Sequence, residues 1–114
     1  DVLHHVGVLY HLKDPVAHLK SLLPHVTRGV MLDTHYARPN ELNASYKVDD
    51  VEYKHKRFVE GGRHEPFSGM YDTAKWLLLD DLVTLLRSLG FPRIDIAEDR
   101  DERNGARTLI FAER

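Results

Sequence analysis

The fold of this chain is decided by its opening stretch, which reads DVLHHVGVLYHL at residues 1–12. An apolar run without clean alternation is typical of a strand buried on both faces, as strands of parallel sheets are. We therefore predict a strand over residues 2–8. Ligands of such sheets bind beyond the carboxyl ends of the strands, so Tyr10 and His11 stand where chemistry is expected.

A helix and a second strand follow directly. Asp14 suits a helix N-cap, and Pro15 suits the first helical position, where its missing N–H costs nothing. Apolar residues then recur at helical spacing up to Leu23, and Pro24 ends the helix or tightens its last turn. A second apolar run at residues 30–35 predicts another strand. Together these elements predict a βαβ unit.

Residues 36–75 differ from the rest because they are polar and lack a sustained helical stripe. Residues 47–60 predict a hairpin or an extended arm, with Gly61-Gly62 as a turn. Long insertions in compact domains are commonly lids or binding loops. We therefore predict that residues 36–75 form a lid or a substrate-binding insert.

The last third of the chain predicts one helix and two strands. Trp76 leads into an amphipathic helix that has acidic residues in its first turn and ends at Gly90. Residues 93–97 alternate like a half-buried strand, residues 99–104 form a charged turn, and residues 107–112 form a final antiparallel strand. The predicted fold class is α/β, in the order β-α-β-insert-α-β-β.

Composition excludes several classes of protein. The chain has 114 residues, of which 42% are hydrophobic and 30% charged, as in a soluble single domain. Its net charge of −2 gives no overall basic field for nucleic acid. The absence of cysteine excludes disulfides and thiolate metal sites. No apolar stretch approaches the roughly 20 residues of a membrane span, so we expect a cytoplasmic protein without a membrane partner.

The segment GVLYHLKDP at residues 7–15 resembles the fourth strand and following loop of class I S-adenosylmethionine-dependent methyltransferases. This sequence motif is most similar to that of the branch that includes the tRNA wobble-uridine carboxymethyltransferases. Residues 31–34, MLDT, resemble the fifth strand of that branch, and residues 76–91, which end in Gly-Phe, resemble its last helix. The resemblance implies a Rossmann-like sheet. Across that sheet, the first strand of this chain lies beside the second, the second beside the last, and the last beside the second-to-last.

The resemblance covers only the carboxyl half of such an enzyme. The glycine-rich turn, the acidic residue after the second strand and the third strand have no counterpart in this sequence. Residues 1–114 are therefore expected to be the C-terminal half of a methyltransferase domain, inactive alone. The implied cofactor is S-adenosylmethionine, and the implied acceptor is a small molecule or a tRNA base. The alternative is a non-catalytic binding or assembly fragment.

The resemblance also implies site residues. It places Val6, Gly7 and Tyr10 against the cofactor; alternatively, Tyr10 is a core residue at a strand terminus. His11 and His35 are catalytic candidates, because a histidine titrates near working pH. Both could instead be ordinary loop histidines, since methyl transfer to a nucleophilic atom needs mainly alignment.

Further residues are candidates for acceptor binding. Tyr36, Arg38 and Tyr71 are predicted to bind substrate; ordinary loop polarity is the alternative. Basic and aromatic residues also alternate between residues 46 and 63, a mixture that can contact RNA phosphates and stack bases. Acidic residues between them reduce the positive charge of this patch, which favours the alternative that it is a solvent-exposed face of the insert.

Two predictions concern metals and partners. His4 and His5 are expected to point to opposite faces of their strand, and no helical His-x-x-x-His motif is present, so we predict no metal site. A first strand without an outer neighbour would expose unpaired backbone groups. We therefore predict self-association through the edge strand Val2–Val8.

Overall fold

The structure is a computed structural model that describes residues 2–59 and 73–114. The strands are β1 (Val2–Val6), β2 (Gly29–His35), β3 (Ala44–Val48), β4 (Val51–Val59), β5 (Thr73–Leu77), β6 (Arg93–Glu102) and β7 (Gly105–Glu113). The helices are α1 (Pro15–Leu22) and α2 (Leu79–Ser88), with short 3-10 helices at Leu9–His11, Leu23–His25 and Pro39–Glu41. No helix in the described ranges is long and apolar enough to cross a bilayer.

The main sheet has four strands in the order β1-β2-β7-β6. β1 runs parallel to β2, whereas β7 is antiparallel to both β2 and β6. This order and the antiparallel last strand confirm the strand arrangement expected from the sequence. That the sheet is half of a longer one stays a prediction.

The predicted start of α1 and the predicted glycine after α2 are confirmed. Asp14 caps α1, because its Oδ1 accepts a hydrogen bond of 3.0 Å from the backbone N–H of Ala17. Pro15 is the first helical residue, and Pro24 lies in the 3-10 turn that follows the helix. Beyond α2, Gly90 has a φ of +101°, as expected for a left-handed residue after a helix.

The two described helices cover only one face of the main sheet. Alternate residues such as Leu32 and Ile110 pack with the apolar sides of α1 and α2 and are fully buried. On the other face, Val2 is 53% exposed, Val6 47% and Phe111 41%. The prediction that the first strand is buried on both faces is therefore wrong, because both described helices lie on the same side.

The first strand is also shorter than predicted. β1 ends at Val6 rather than at Val8. Gly7 has a φ of +72°, which side-chain-bearing residues rarely adopt, and this turns the chain out of the strand. The free edge of the strand is thus five residues long.

The insert forms a second, antiparallel sheet in the order β3-β4-β5. The predicted hairpin is present, and Asp49 and Asp50 make its turn with φ values of 51° and 67°. Gly61-Gly62, the other predicted turn, lies outside the described residues. Trp76, expected to lead into a helix, lies instead in β5, because that strand pairs with β4 up to Leu77. The role of a lid stays a prediction.

The predicted turn at residues 99–104 is wrong in its extent. β6 continues to Glu102, with a register shift between Ile96 and Glu98, and pairs with β7 along its whole length. Its charged side chains are largely exposed, and several form ion pairs, such as Asp101 with Arg38 at 2.6 Å and Arg100 with Glu98 at 2.7 Å. Charge alone therefore did not mark a turn.

Candidate functional site

The candidate site lies where β1 ends. The backbone N–H of Gly7 donates a 3.0 Å hydrogen bond to the carbonyl of Asp33 in β2. A methyl group placed on Gly7 would lie 3.7 Å from the Arg107 guanidinium and 3.9 Å from the Tyr10 hydroxyl. The positive φ of Gly7, rather than lack of space, therefore demands glycine here. The 3-10 helix Leu9–His11 then carries Tyr10 and His11.

Aromatic rings from three parts of the chain meet around Tyr10. Its ring centroid lies 4.3 Å from that of His11 and 4.6 Å, edge-on, from that of His35. His35 stacks on Trp76 of the insert sheet at 4.5 Å, with an angle of 10° between the rings. The structure therefore brings together Tyr10, His11 and His35, as the sequence predicted, and adds Trp76.

Arg107 of β7 fixes this cluster from the other side. Its Nε donates to Asp33 Oδ1 at 2.6 Å, and its Nη1 donates to the Tyr10 hydroxyl at 3.3 Å. The guanidinium carbon also lies 5.3 Å from the centroid of the Tyr10 ring. Arg107 thus links the second strand to the residue expected to face the cofactor.

Sequence reasoning missed Arg107, Asp33 and Trp76 as members of the site. Arg107 is directly opposite His35 in the β2–β7 pairing. The predicted antiparallel pairing of the last strand, together with a charged residue at its start, is the signal that could have found it. No local signal marked Trp76, because its contact with His35 depends on the insert folding as a sheet.

His35 is held in a defined tautomer. Its Nδ1 lies 3.0 Å from the carbonyl oxygen of Ala106, and because a carbonyl only accepts, Nδ1 carries the proton. Burial lowers the pKa of His35, and the charge of Arg107 lowers it further. The neutral ring therefore has its lone pair on Nε2. The His35 ring lies between those of Trp76 and Tyr10, and this geometry suits a residue that positions Tyr10. A catalytic role for His35 stays a prediction.

Tyr36 and Arg38 are bound to the acidic end of β6. The Tyr36 hydroxyl donates to Asp99 Oδ1 at 2.5 Å, and Arg38 Nη1 donates to Asp101 Oδ1 at 2.6 Å. Burial, with the hydrogen bond to Asp99, raises the pKa of Tyr36 to about 12, so its phenol is neutral at physiological pH. Substrate binding by these residues stays a prediction. Tyr71 lies outside the described residues.

Two of the described histidines, His5 and His18, form a pair. His4 is exposed and His5 is buried, which confirms that they point to opposite faces. His5 Nε2 lies 2.9 Å from His18 Nε2. Within residues 2–59 and 73–114, no group of three or more histidine, aspartate or glutamate side chains is placed to hold a metal ion.

Comparison with known proteins gives structural neighbours only. No protein-family model and no curated protein matches the sequence. Two similar solved structures are the N-terminal domain of EvdMO1 with SAH bound, and the same domain in the presence of SAH and D-fucose. Each is 25% identical to this chain and superposes on it with a TM-score of 0.75, and the match covers 99% of this chain. The chain spans 45% and 46% of those two chains, less than half of their length.

These neighbours define the class of fold. The chain has an α/β, methyltransferase-like fold, in agreement with the general resemblance of its sequence. Neither neighbour supports the tRNA wobble-uridine branch.

Proposed function

We propose that this chain supplies the carboxyl half of a domain that transfers a methyl or modified-methyl group from S-adenosylmethionine to a small molecule or a tRNA base. One observation carries the proposal: almost the whole chain superposes, at a TM-score of 0.75, on structures determined with SAH, the product form of that cofactor. Because this chain spans less than half of each of those structures, we infer that it carries only part of the cofactor site.

The residues at the end of β1 fit such a cofactor. Val6 is 47% exposed, Gly7 has no side chain, and the ring of Tyr10 is partly exposed, so together they form an apolar wall. The guanidinium of Arg107 lies beside this wall, but Asp33 balances its charge at 2.6 Å. The wall therefore carries no excess positive charge, which suits a ligand that contains a cationic sulfur.

The residues of this chain act mainly by alignment. S-adenosylmethionine, when bound, supplies a methyl group on a positively charged sulfur that is open to in-line attack. Arg107 and His35 hold Tyr10 in place from two sides. His11, whose ring contacts that of Tyr10, orients the acceptor or accepts its proton. Because alignment dominates, the loss of His11 should cost less than the loss of Tyr10.

Calorimetric titration of this chain with SAH tests the proposal. We expect measurable binding that is weaker than micromolar, because the chain spans less than half of its neighbours. Tyr10→Leu should weaken it, whereas Phe111→Leu, on the open face, should leave it unchanged. Micromolar affinity would contradict an incomplete site, and no heat at millimolar SAH would contradict the cofactor wall.

A second candidate function is assembly without catalysis. The observation that favours it is the free edge of β1, which is the outermost strand of the described main sheet and carries exposed Val2 and Val6. Such an edge is a template for pairing with a second copy. Light scattering should then show a dimer at high concentration. A monomer at every concentration would rule this function out.

A further inference from the structure

A cleft of about 350 Å³ lies beside the candidate site, between the loop after His11 and the insert sheet. The polar side chains that matter in its lining are those of Lys13, Tyr46, His55, Arg57 and Lys75. Three of these side chains are cationic. Nothing in the proposed transfer at the end of β1 uses them.

The positive charges are placed against one another. Arg57 and Lys75 are directly opposite in the β4–β5 pairing, where like charges destabilise a sheet. Lys75 Nζ donates to the carbonyl oxygen of Lys13 at 2.5 Å, which holds the ammonium group in the cleft. An anion between these side chains would relieve the repulsion.

The one carboxylate beside this cleft is largely engaged elsewhere. Asp14 lines an adjoining hollow that shares Lys13, Tyr46 and Lys75 with the cleft. Its Oδ1 accepts hydrogen bonds from the N–H of Ala17 at 3.0 Å and from the Tyr46 hydroxyl at 2.9 Å. Within the described lining of the two hollows, one carboxylate therefore faces three cations.

A buried polar atom lies in the same wall. His55 is only 2% exposed, and its Nδ1 has no hydrogen-bond partner among the described residues. A buried polar atom without a partner costs free energy. Because Nδ1 is itself buried, the ring has to turn before a ligand in the cleft can supply that partner. Burial lowers the pKa of His55, and the charges of Lys75 and Arg57 add to this effect.

We propose that this cleft binds the carboxylate or phosphate group of the methyl acceptor. The assignment rests on the proposed function and names the chemistry of its acceptor. Lys13, two residues after His11, lines the cleft, and the backbone N–H of Lys75 donates to the carbonyl oxygen of Leu12 at 3.4 Å, so the loop after His11 borders the cleft. Trp76, which follows Lys75 in β5, points to the opposite face of that strand. The size of the cleft suits the anionic group of a small molecule.

Backbone amide NMR of this chain, titrated with inorganic phosphate at constant ionic strength, tests the proposal. We expect saturable shifts at Lys13, Tyr46, His55, Arg57 and Lys75. Arg57→Gln should weaken binding about tenfold, because a charge-assisted hydrogen bond is lost. Lys75→Gln is a second variant with the same expectation. Lys47→Gln, in the same sheet but outside the cleft, removes equal charge and should leave phosphate binding unchanged.

The outcomes separate this site from the proposed function. Shifts that do not saturate, or equal weakening by Lys47→Gln and Arg57→Gln, would overturn the site and show only diffuse attraction. Acetate and a short single-stranded RNA are further ligands; tighter binding of the RNA through the same residues would support the site but assign the anion to nucleic acid. Binding of SAH to Arg57→Gln at wild-type strength would show that the cofactor wall stands independently.

Discussion

The two faces of the main sheet are made by the same strands but differ in environment. On the covered face, Leu32 and Ile110 are fully buried against the two helices. On the open face, Phe111 keeps 41% of its surface exposed and Val2 keeps 53%. Since apolar burial contributes about 25 cal/mol per Å², the covered face stabilises the fold. In the part of the chain that the structure describes, no helix packs on the open face and no strand pairs with the outer edge of β1.

The largest expected difference between the faces is in stability. Leu86 is fully buried, so Leu86→Ala should lower the free energy of unfolding by about 2–5 kcal/mol through lost burial and a cavity. Phe111→Ala should lower it by less than Leu86→Ala does, because 41% of the Phe111 surface is already exposed. Urea denaturation of both variants measures this. Equal losses would show that another part of the molecule covers the open face.

The next effect concerns association through the open edge. Val6→Lys should raise the dissociation constant of a dimer formed through β1 at least about tenfold, because lysine on an edge strand opposes pairing. Val51→Lys is the matched control, since Val51 is 50% exposed at the start of β4. Sedimentation across a range of concentrations gives both constants. Equal effects of the two variants would place the contact elsewhere.

A smaller effect concerns the histidine of β1 that points to the covered face. Burial, together with the nearby charge of His18, lowers the pKa of His5 below its usual 6.5. The unfolded chain therefore binds a proton more readily than the folded chain does. The contribution of His5 to stability is complete above about pH 6.5 and is lost as the pH falls through that value toward the lowered pKa.

Urea unfolding from neutral pH down to about pH 5 measures this loss. His5→Gln should make the decline in stability shallower, and His4→Gln, on the exposed face of β1, should leave it as in the wild type. Part of the decline should remain in His5→Gln, because burial also lowers the pKa values of His35 and His55. A decline unchanged by His5→Gln would contradict this assignment.

The features that could be predicted from the sequence depend mainly on residues that are close together in it. The N-cap at Asp14, the glycine after α2 and the strand order of the main sheet could all be predicted from residue types and from the resemblance. The approach of Tyr10, His11 and His35 followed from the rule that parallel strands end at one edge.

What could not be predicted depends on which elements pack where. The apolar run of β1 was expected to be buried on both faces. The amino-acid composition of a strand does not determine how many of its faces other elements cover. Trp76 was assigned to a helix approach because leucines follow it, whereas pairing with β4 placed it in a strand. The contact of Arg107 with Asp33 joins residues 74 positions apart, and no pattern within either strand encodes it.

Backbone amide NMR of this chain during titration with SAH tests the central claim most directly. We predict shifts concentrated at Val6, Gly7, Tyr10 and His11 and at the indole N–H of Trp76, with none at Val2 and Phe111, which lie farther along the open face. Tyr10→Leu should weaken these shifts without altering the spectrum of the covered face. Shifts centred on Val2 and Phe111, or none at saturating SAH, would contradict the assignment of the end of β1 as the wall of a cofactor site.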